Sequence, residues 1–159
     1  MAALAFQAFE MILRAPGGDV WAGMAAALSA LGVDTAVTAW IRLYQRLEQS
    51  GWTKAAWDSP DYWAFNLAGA VAKDSPELSW AFLLGLIAAV PDSLLLHVGA
   101  GELEDFCWAA SESYIERIEA EAAGDPRFRR ALTHVWPGGD QIPSTLYARI
   151  RAAVEPLEP

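Results

Sequence analysis

Apolar residues recur along this chain at helical spacing, and most apolar stretches are punctuated by glycine or proline. Residues 2–14 are apolar except for a narrow stripe of Gln7, Glu10 and Arg14, the last two one turn apart. Pro16-Gly-Gly-Asp19 breaks this helix, and Asp19 is placed to cap a second one ending near Leu31, with Gly32 beyond it. That second helix carries no charged residue, and Trp21, Met24, Leu28 and Leu31 share one side. Two such helices belong in the core, with a self-association surface as the alternative.

The clearest periodicity follows. Asp34 is placed to cap a helix over 35–49 in which Val37, Trp40, Ile41, Tyr44 and Leu47 form the inner stripe, opposite Arg42, Gln45, Arg46 and Gln49. Gly51 ends it, and residues 51–60 read as a connector. Ser59-Pro60-Asp61 and Ser75-Pro76-Glu77 then read as two helix starts: a hydroxyl to accept an orphan N–H, a proline that needs no partner, and an acid at the positive helix end. On the first of these helices, 60–72, the stripe Tyr62, Asn66, Gly69 and Lys73 is either solvent-facing or one polar wall of a pocket. The second, 76–90, is apolar almost all round and belongs in the middle of a bundle. A short helix over 91–97 leads to Gly99 and Gly101, which flank a tight turn into a helix over 102–110. Ser113 and Glu116 make a capping-box pattern for a further helix, with Arg117 and Glu121 paired across one turn. Asp125-Pro126 opens the next helix, and 144–154 is the last.

The pattern predicts an all-α fold: a single domain of about eight or nine short antiparallel helices, bundle-like or built of solenoid-like helical pairs. An apolar N-terminal pair, 1–33, packs with a helical domain, 34–156, as one globular unit.

Composition agrees. Of 159 residues, 54% are hydrophobic and 19% charged, which suits a globular domain. The formal net charge of −9 argues against nucleic acid and anionic membrane, both of which need a cationic face. It favours a basic protein partner. Cys107, the single cysteine, reads as a small core residue and excludes an intramolecular disulfide. No Lys or Arg precedes the first apolar run, and the uncharged runs 20–33 and 78–90 are too short to span a membrane, so a cytoplasmic location is expected.

Charge is segregated. Residues 102–125 hold eight acids and one arginine, and 127–151 hold five arginines and one acid. Pairing between the two segments is one reading. The other makes Glu102, Glu104, Asp105 and Glu119 an acidic recognition patch, oriented by Arg127, Arg129 and Arg130, with Tyr62 and Asn66 as further binding groups. On that reading the protein is a small acidic binding module, of immunity or antitoxin type, covering a basic partner. Two alternatives stand beside it: a metal- or carboxylate-dependent enzyme using the helix start at 102–105, or a homo-oligomeric subunit pairing through helices 2–32. The chain has two histidines and lacks HExxH, CxxC, EF-hand and P-loop motifs, so neither a cofactor nor a metal is expected, and no residue is assigned a catalytic role. His97 with Glu102, or His134 with a distant acid, would be the ligands if a metal were held.

The segments AGELEDF (100–106), YIERIEAEA (114–122), DPRFRRAL (125–132) and VW (135–136) resemble an uncharacterised bacterial family. That family is similar also in an aromatic helix with Trp63 and Asn66 and in a Pro-Glu-x-x-Trp helix. The resemblance covers about 36–155 and leaves helices 2–32 as an addition. Its members often carry proline where Glu102 stands. It implies a helical fold and a soluble compartment, and no mechanism.

Overall fold

Glycine and proline set the element order. In this computed structural model, residues 2–54, 58–137 and 142–155 are described. Helix α1 (Ala2–Leu13) leads to α2 (Val20–Leu31), whose first turn is capped by the Asp19 carboxylate accepting from the Trp21 and Ala22 N–H groups. Gly32, at φ 83°, turns the chain by 114° into α3 (Val33–Ser50). It takes the cap position expected of Asp34, which lies inside the first turn. The remaining helices are α4 (Leu67–Ala72), α5 (Pro76–Ala89), α6 (Glu104–Gly124), α7 (Pro126–Leu132) and α8 (Ser144–Val154). The fold is all-α, and no strand occurs among the described residues. Residues 55–57 of the connector lie outside them, as do 138–141 after α7.

Helix α5, apolar on every side, sits among α3, α4, α6 and α7, as its composition requires. Trp80 on α5 packs against Phe106 and Tyr114 of α6 and Phe128 of α7, with ring centroids 5.4, 5.7 and 5.6 Å away. Arg117 covers this cluster, its guanidinium 5.3 Å from the Trp80 ring and 4.9 Å from Tyr114. Burial of side chains such as Phe106 and Phe128 stabilises the fold by roughly 1.5–3 kcal/mol each.

Four local expectations are corrected. The helix expected over 60–72 is interrupted: Tyr62–Ala64 is one 3-10 turn, Phe65 is extended, and Asn66 is left-handed at φ 54° before α4 begins. The cause is tertiary. Arg42 of α3 grips Asp61 through two hydrogen bonds of 3.0 and 2.7 Å, and Asp61 N–H donates to the Ser59 hydroxyl, so Ser59 closes a turn instead of capping a helix. The two helices expected over 102–110 and 113–122 are one 21-residue helix, because no glycine or proline separates them; the Ser113–Glu116 box does not form. Arg117 accordingly pairs with Glu77 of α5 at 2.6 Å, not with Glu121. Finally, α1 and α2 bury Ala8, Gly23, Ala27 and Leu28 but leave Phe6, Phe9, Leu13 and Trp21 more than half exposed. A Cβ on Gly23 would lie 2.5 Å from Ile12 Cα, so the small-residue faces are consumed by the α1–α2 crossing itself. No single helix among the described residues is long and apolar enough to cross a membrane.

Candidate functional site

Between the Asp92–Leu94 turn and α6 the chain keeps right-handed helical dihedrals, but Val98–Leu103 winds as a π-helix. Such segments are rare and favour functional sites. Gly99 makes this one possible: a Cβ there would stand 2.2 Å from the Ala131 carbonyl oxygen and 2.9 Å from His134 Cβ, so only glycine lets the segment lie on α7. The two glycines expected to bracket a tight turn thus sit inside a continuous helical path.

The π-helix turns Glu102 fully inward. One carboxylate oxygen accepts from Trp40 Nε1 at 2.9 Å, and the other accepts from Ala68 N–H at 2.7 Å. Asn66 N–H contributes as well. Asn66 makes no side-chain cap for α4, so Glu102 serves as that cap from a distant part of the chain. Burial pushes its pKa up to about 7 against the pull of these donors, and Asp105 adds to the rise. Glu102 is therefore no part of a surface patch, contrary to the sequence reading. Nor does it meet His97 as a metal-ligand pair, since His97 Nε2 lies 3.5 Å from Glu48 Oε1. Among the described residues, no three His, Cys, Asp or Glu side chains are grouped to hold a metal ion.

One turn on, Asp105 faces α4 across Gly69, where a Cβ would be only 2.6 Å from Asp105 Cβ. Burial, and then the charge of Glu104, raise the Asp105 pKa to about 6, and no hydrogen bond offsets the rise. Two cavities adjoin this carboxylate. The smaller, about 290 Å³, is lined by Tyr44, Trp52, Phe65, Asn66, His97, Ala100, Gly101 and Asp105. The larger, about 600 Å³, is lined by residues that include Asp19, Trp21, Asn66, Gly69, Lys73, Asp74, Asp105 and Trp108. Asn66 and Asp105 belong to both. Tyr44 stacks on Trp40 at 3.7 Å, and its phenol is held protonated by burial and by the charges of Glu102 and Asp105.

The backbone is irregular in the same place. Trp52 (φ 63°) and Asn66 (φ 54°) are the non-glycine residues with positive φ among the described residues, and both line the smaller cavity. Asparagine tolerates this region; a bulky tryptophan does so at a cost of roughly 1–3 kcal/mol. With the π-helix, three departures from regular geometry converge on one 290 Å³ space.

The other sequence candidates are placed elsewhere. Glu104 accepts from Trp136 N–H at 2.7 Å, and burial raises its pKa. Glu119 binds Arg149 of α8 through two bonds of 2.7 and 2.6 Å, which lower the Glu119 pKa. The arginines do not orient the acids. Arg127 donates to the Ile87 and Val90 carbonyls at the end of α5 and pairs with Asp92, which Arg130 also reaches at 2.9 Å. Arg129 donates to the Ala122 and Ala123 carbonyls at 2.7 and 3.3 Å, closing the end of α6. Tyr62 is parted from Asn66 by the break at Phe65 and lines an apolar groove with Phe6 and Phe9. Sequence reasoning missed Tyr44, Trp52 and Phe65 as wall residues, and only the Gly51-Trp52 step in a connector hinted at one of them.

Comparison with known proteins adds one finding. The model of a family of unknown function, DUF6869, matches residues 53–156. The chain belongs to this family. No curated protein and no solved structure matches. The DUF6869 region begins later than the resemblance suggested, leaving α3 outside it with α1 and α2. Asn66, Gly69, His97, Glu102 and Asp105 fall within the DUF6869 region, whereas Trp40, Tyr44 and Trp52 come from the chain before it.

Proposed function

We propose that this DUF6869 protein is a small acidic binding module that receives a positively charged group at Asp105. One observation carries the reading. Asp105 is a half-buried carboxylate, without a hydrogen bond to offset its desolvation, set between two aromatic-walled cavities. An anion so placed gains most from an incoming cation, because its water has already been partly removed. The neighbourhood is acidic too, since Asp19 and Asp74 line the larger cavity against the single cation Lys73. The net charge of −9 adds a long-range attraction for cationic partners. This narrows a broad acidic face to one carboxylate, since Glu102, Glu104 and Glu119 already have partners inside the fold.

A second reading, a carboxylate-dependent enzyme, is favoured by the raised titration of Glu102 and Asp105, to about 7 and about 6. On it, Asp105 is the group that meets substrate, and Glu102, shut off from solvent, holds Asn66 in place.

The binding reading is tested by titrating labelled protein with guanidinium and alkylammonium salts against neutral analogues. Cations are expected to shift the Asn66 and Asp105 amide signals, and Asp105→Asn to weaken them by roughly tenfold or more. Equal responses to cations and neutral analogues, or an unaffected Asp105→Asn protein, would overturn it.

A further inference from the structure

We infer that the cation received at Asp105 is an alkylated ammonium group, seated in the cavity walled by Tyr44, Trp52, Phe65 and His97; this rests on the reading of Asp105 given above. The argument begins with the walls. Tyr44 and Trp52 meet edge to face at 84°, with centroids 5.8 Å apart. His97 is inclined to Trp52 by 52° and to Tyr44 by 45°. These rings pack on one another and, with Phe65 stacked 6.3 Å from Tyr44, make one continuous aromatic wall on which a cation can rest. The electron-rich faces of indole and phenol attract a cation directly, tryptophan most strongly. Asp105 supplies the full negative charge at the edge of this space, and Asn66 the amide beside it.

The polar inventory selects among cations. A primary ammonium brings three N–H donors and a guanidinium five, and donors turned toward the ring faces find no acceptor there. The side-chain acceptors of the wall are Asp105, Asn66, the Tyr44 hydroxyl and a ring nitrogen of neutral His97, and the Glu102 oxygens behind them are committed to Trp40 and Ala68. A trimethylammonium group has no N–H to satisfy and presents methyl groups to the rings. The volume, about 290 Å³, lies at the low end of ligand pockets and suits such a head group. Gly101 completes the argument. It lines the cavity, and a Cβ added there would meet nothing nearer than the Tyr44 hydroxyl at 3.9 Å. Unlike Gly99, it is not required by packing. Its missing side chain is what leaves the cavity open.

That gives a clean variant, because Gly101 has room for a side chain and no positive φ. Gly101→Leu is expected to fill the cavity while leaving the helical circular dichroism and the unfolding midpoint intact. The probes are choline, its neutral carbon isostere 3,3-dimethyl-1-butanol, guanidinium, and a short peptide carrying one trimethyllysine. Choline is expected to shift the Trp52 indole N–H signal and to bind roughly tenfold or more tightly than the neutral isostere. Gly101→Leu and Trp52→Leu are each expected to lose that binding by a similar factor. A peptide tighter than choline would identify a protein source for the ammonium group, and equal affinity a small molecule; both support the assignment. Equal binding of choline and its isostere would overturn it. Guanidinium binding that shifts Asp105 and leaves Trp52 silent would overturn the aromatic seat alone, with the Asp105 reading intact. Silence of Asp105 toward every cation would remove both.

Discussion

Glu102 offers the sharpest test of the architecture around the site. Its native pKa of about 7 lies above its ordinary value of 4.5, so between these limits the native state binds more protons than the unfolded state. Stability from this group is therefore complete below pH 4.5 and is lost as pH rises through about 7. Integrated from pH 5 to pH 8, the loss is about 2 to 3 kcal/mol, a large share of the stability of a domain this size. Glu102→Gln keeps the shape, removes the titration, and sets an amide NH₂ against one of the Trp40 and Ala68 donors. The variant is thus expected to be the less stable protein at pH 5, where Glu102 is neutral in any case and one buried donor loses its acceptor. Its disadvantage should shrink by about 2 to 3 kcal/mol by pH 8. Urea unfolding followed by tryptophan fluorescence at pH 5, 6, 7 and 8 reads the difference. Asp105, raised to about 6, tilts the wild-type profile in the same direction, whereas Glu77, Asp92 and Glu119, lowered by their arginines, lose their contribution only as pH falls below about 4.5 and leave this window level. Subtracting the variant's profile isolates Glu102. Parallel profiles for the two proteins would refute the argument, because a carboxylate with an ordinary pKa contributes no such window.

Three further outcomes follow from the packing. Gly69→Ala places a methyl group 2.6 Å from Asp105 Cβ, and should cost about 1–3 kcal/mol while reducing cation binding, since α4 and α6 must part. Thermal unfolding and a cation titration on the same sample check it, and an unchanged affinity would count against the role of the α4–α6 contact. Asp125→Ala removes the carboxylate that caps α7 through Arg127 N–H at 2.7 Å, and should cost about 1 kcal/mol without touching binding. Arg127→Lys keeps the charge but loses the fork that reaches Ile87, Val90 and Asp92 together, and should cost more than Glu119→Ala, whose pair with Arg149 is exposed. Chemical denaturation ranks the two.

Helix existence was legible in the sequence wherever it was written locally. The Asp19 cap, the α3 stripe and the Asp125-Pro126 and Pro76 starts need only neighbours within a few residues, and each is found, although the Ser75 hydroxyl makes no cap bond at the Pro76 start. The expected 144–154 helix matches α8 for the same reason. What failed was written at long range. Ser59-Pro60-Asp61 has the grammar of a helix start, yet Arg42, 19 residues from Asp61, pulls it into a turn. Glu102 looked like one more acid at a helix start, and only a partner 62 residues away, Trp40, shows it to be a buried cap. The π-helix left a trace in Gly99 and Gly101, but sequence spacing could not separate a glycine forced by packing from one that opens a cavity. Of the candidate site, Asn66 and Asp105 are legible in the sequence. Tyr44 belongs by its spacing to the core stripe of α3, and the aromatic wall it shares with Trp52 and Phe65 is assembled from segments without a common pattern.

The claim that Asp105 receives a cation is tested most directly at its own carboxyl carbon. Its ¹³C signal should titrate near pH 6 in the free protein, and in the presence of saturating choline the midpoint should fall toward the ordinary aspartate value of 3.8. A midpoint that stays near 6 with choline, alkylammonium and guanidinium salts alike would contradict the account.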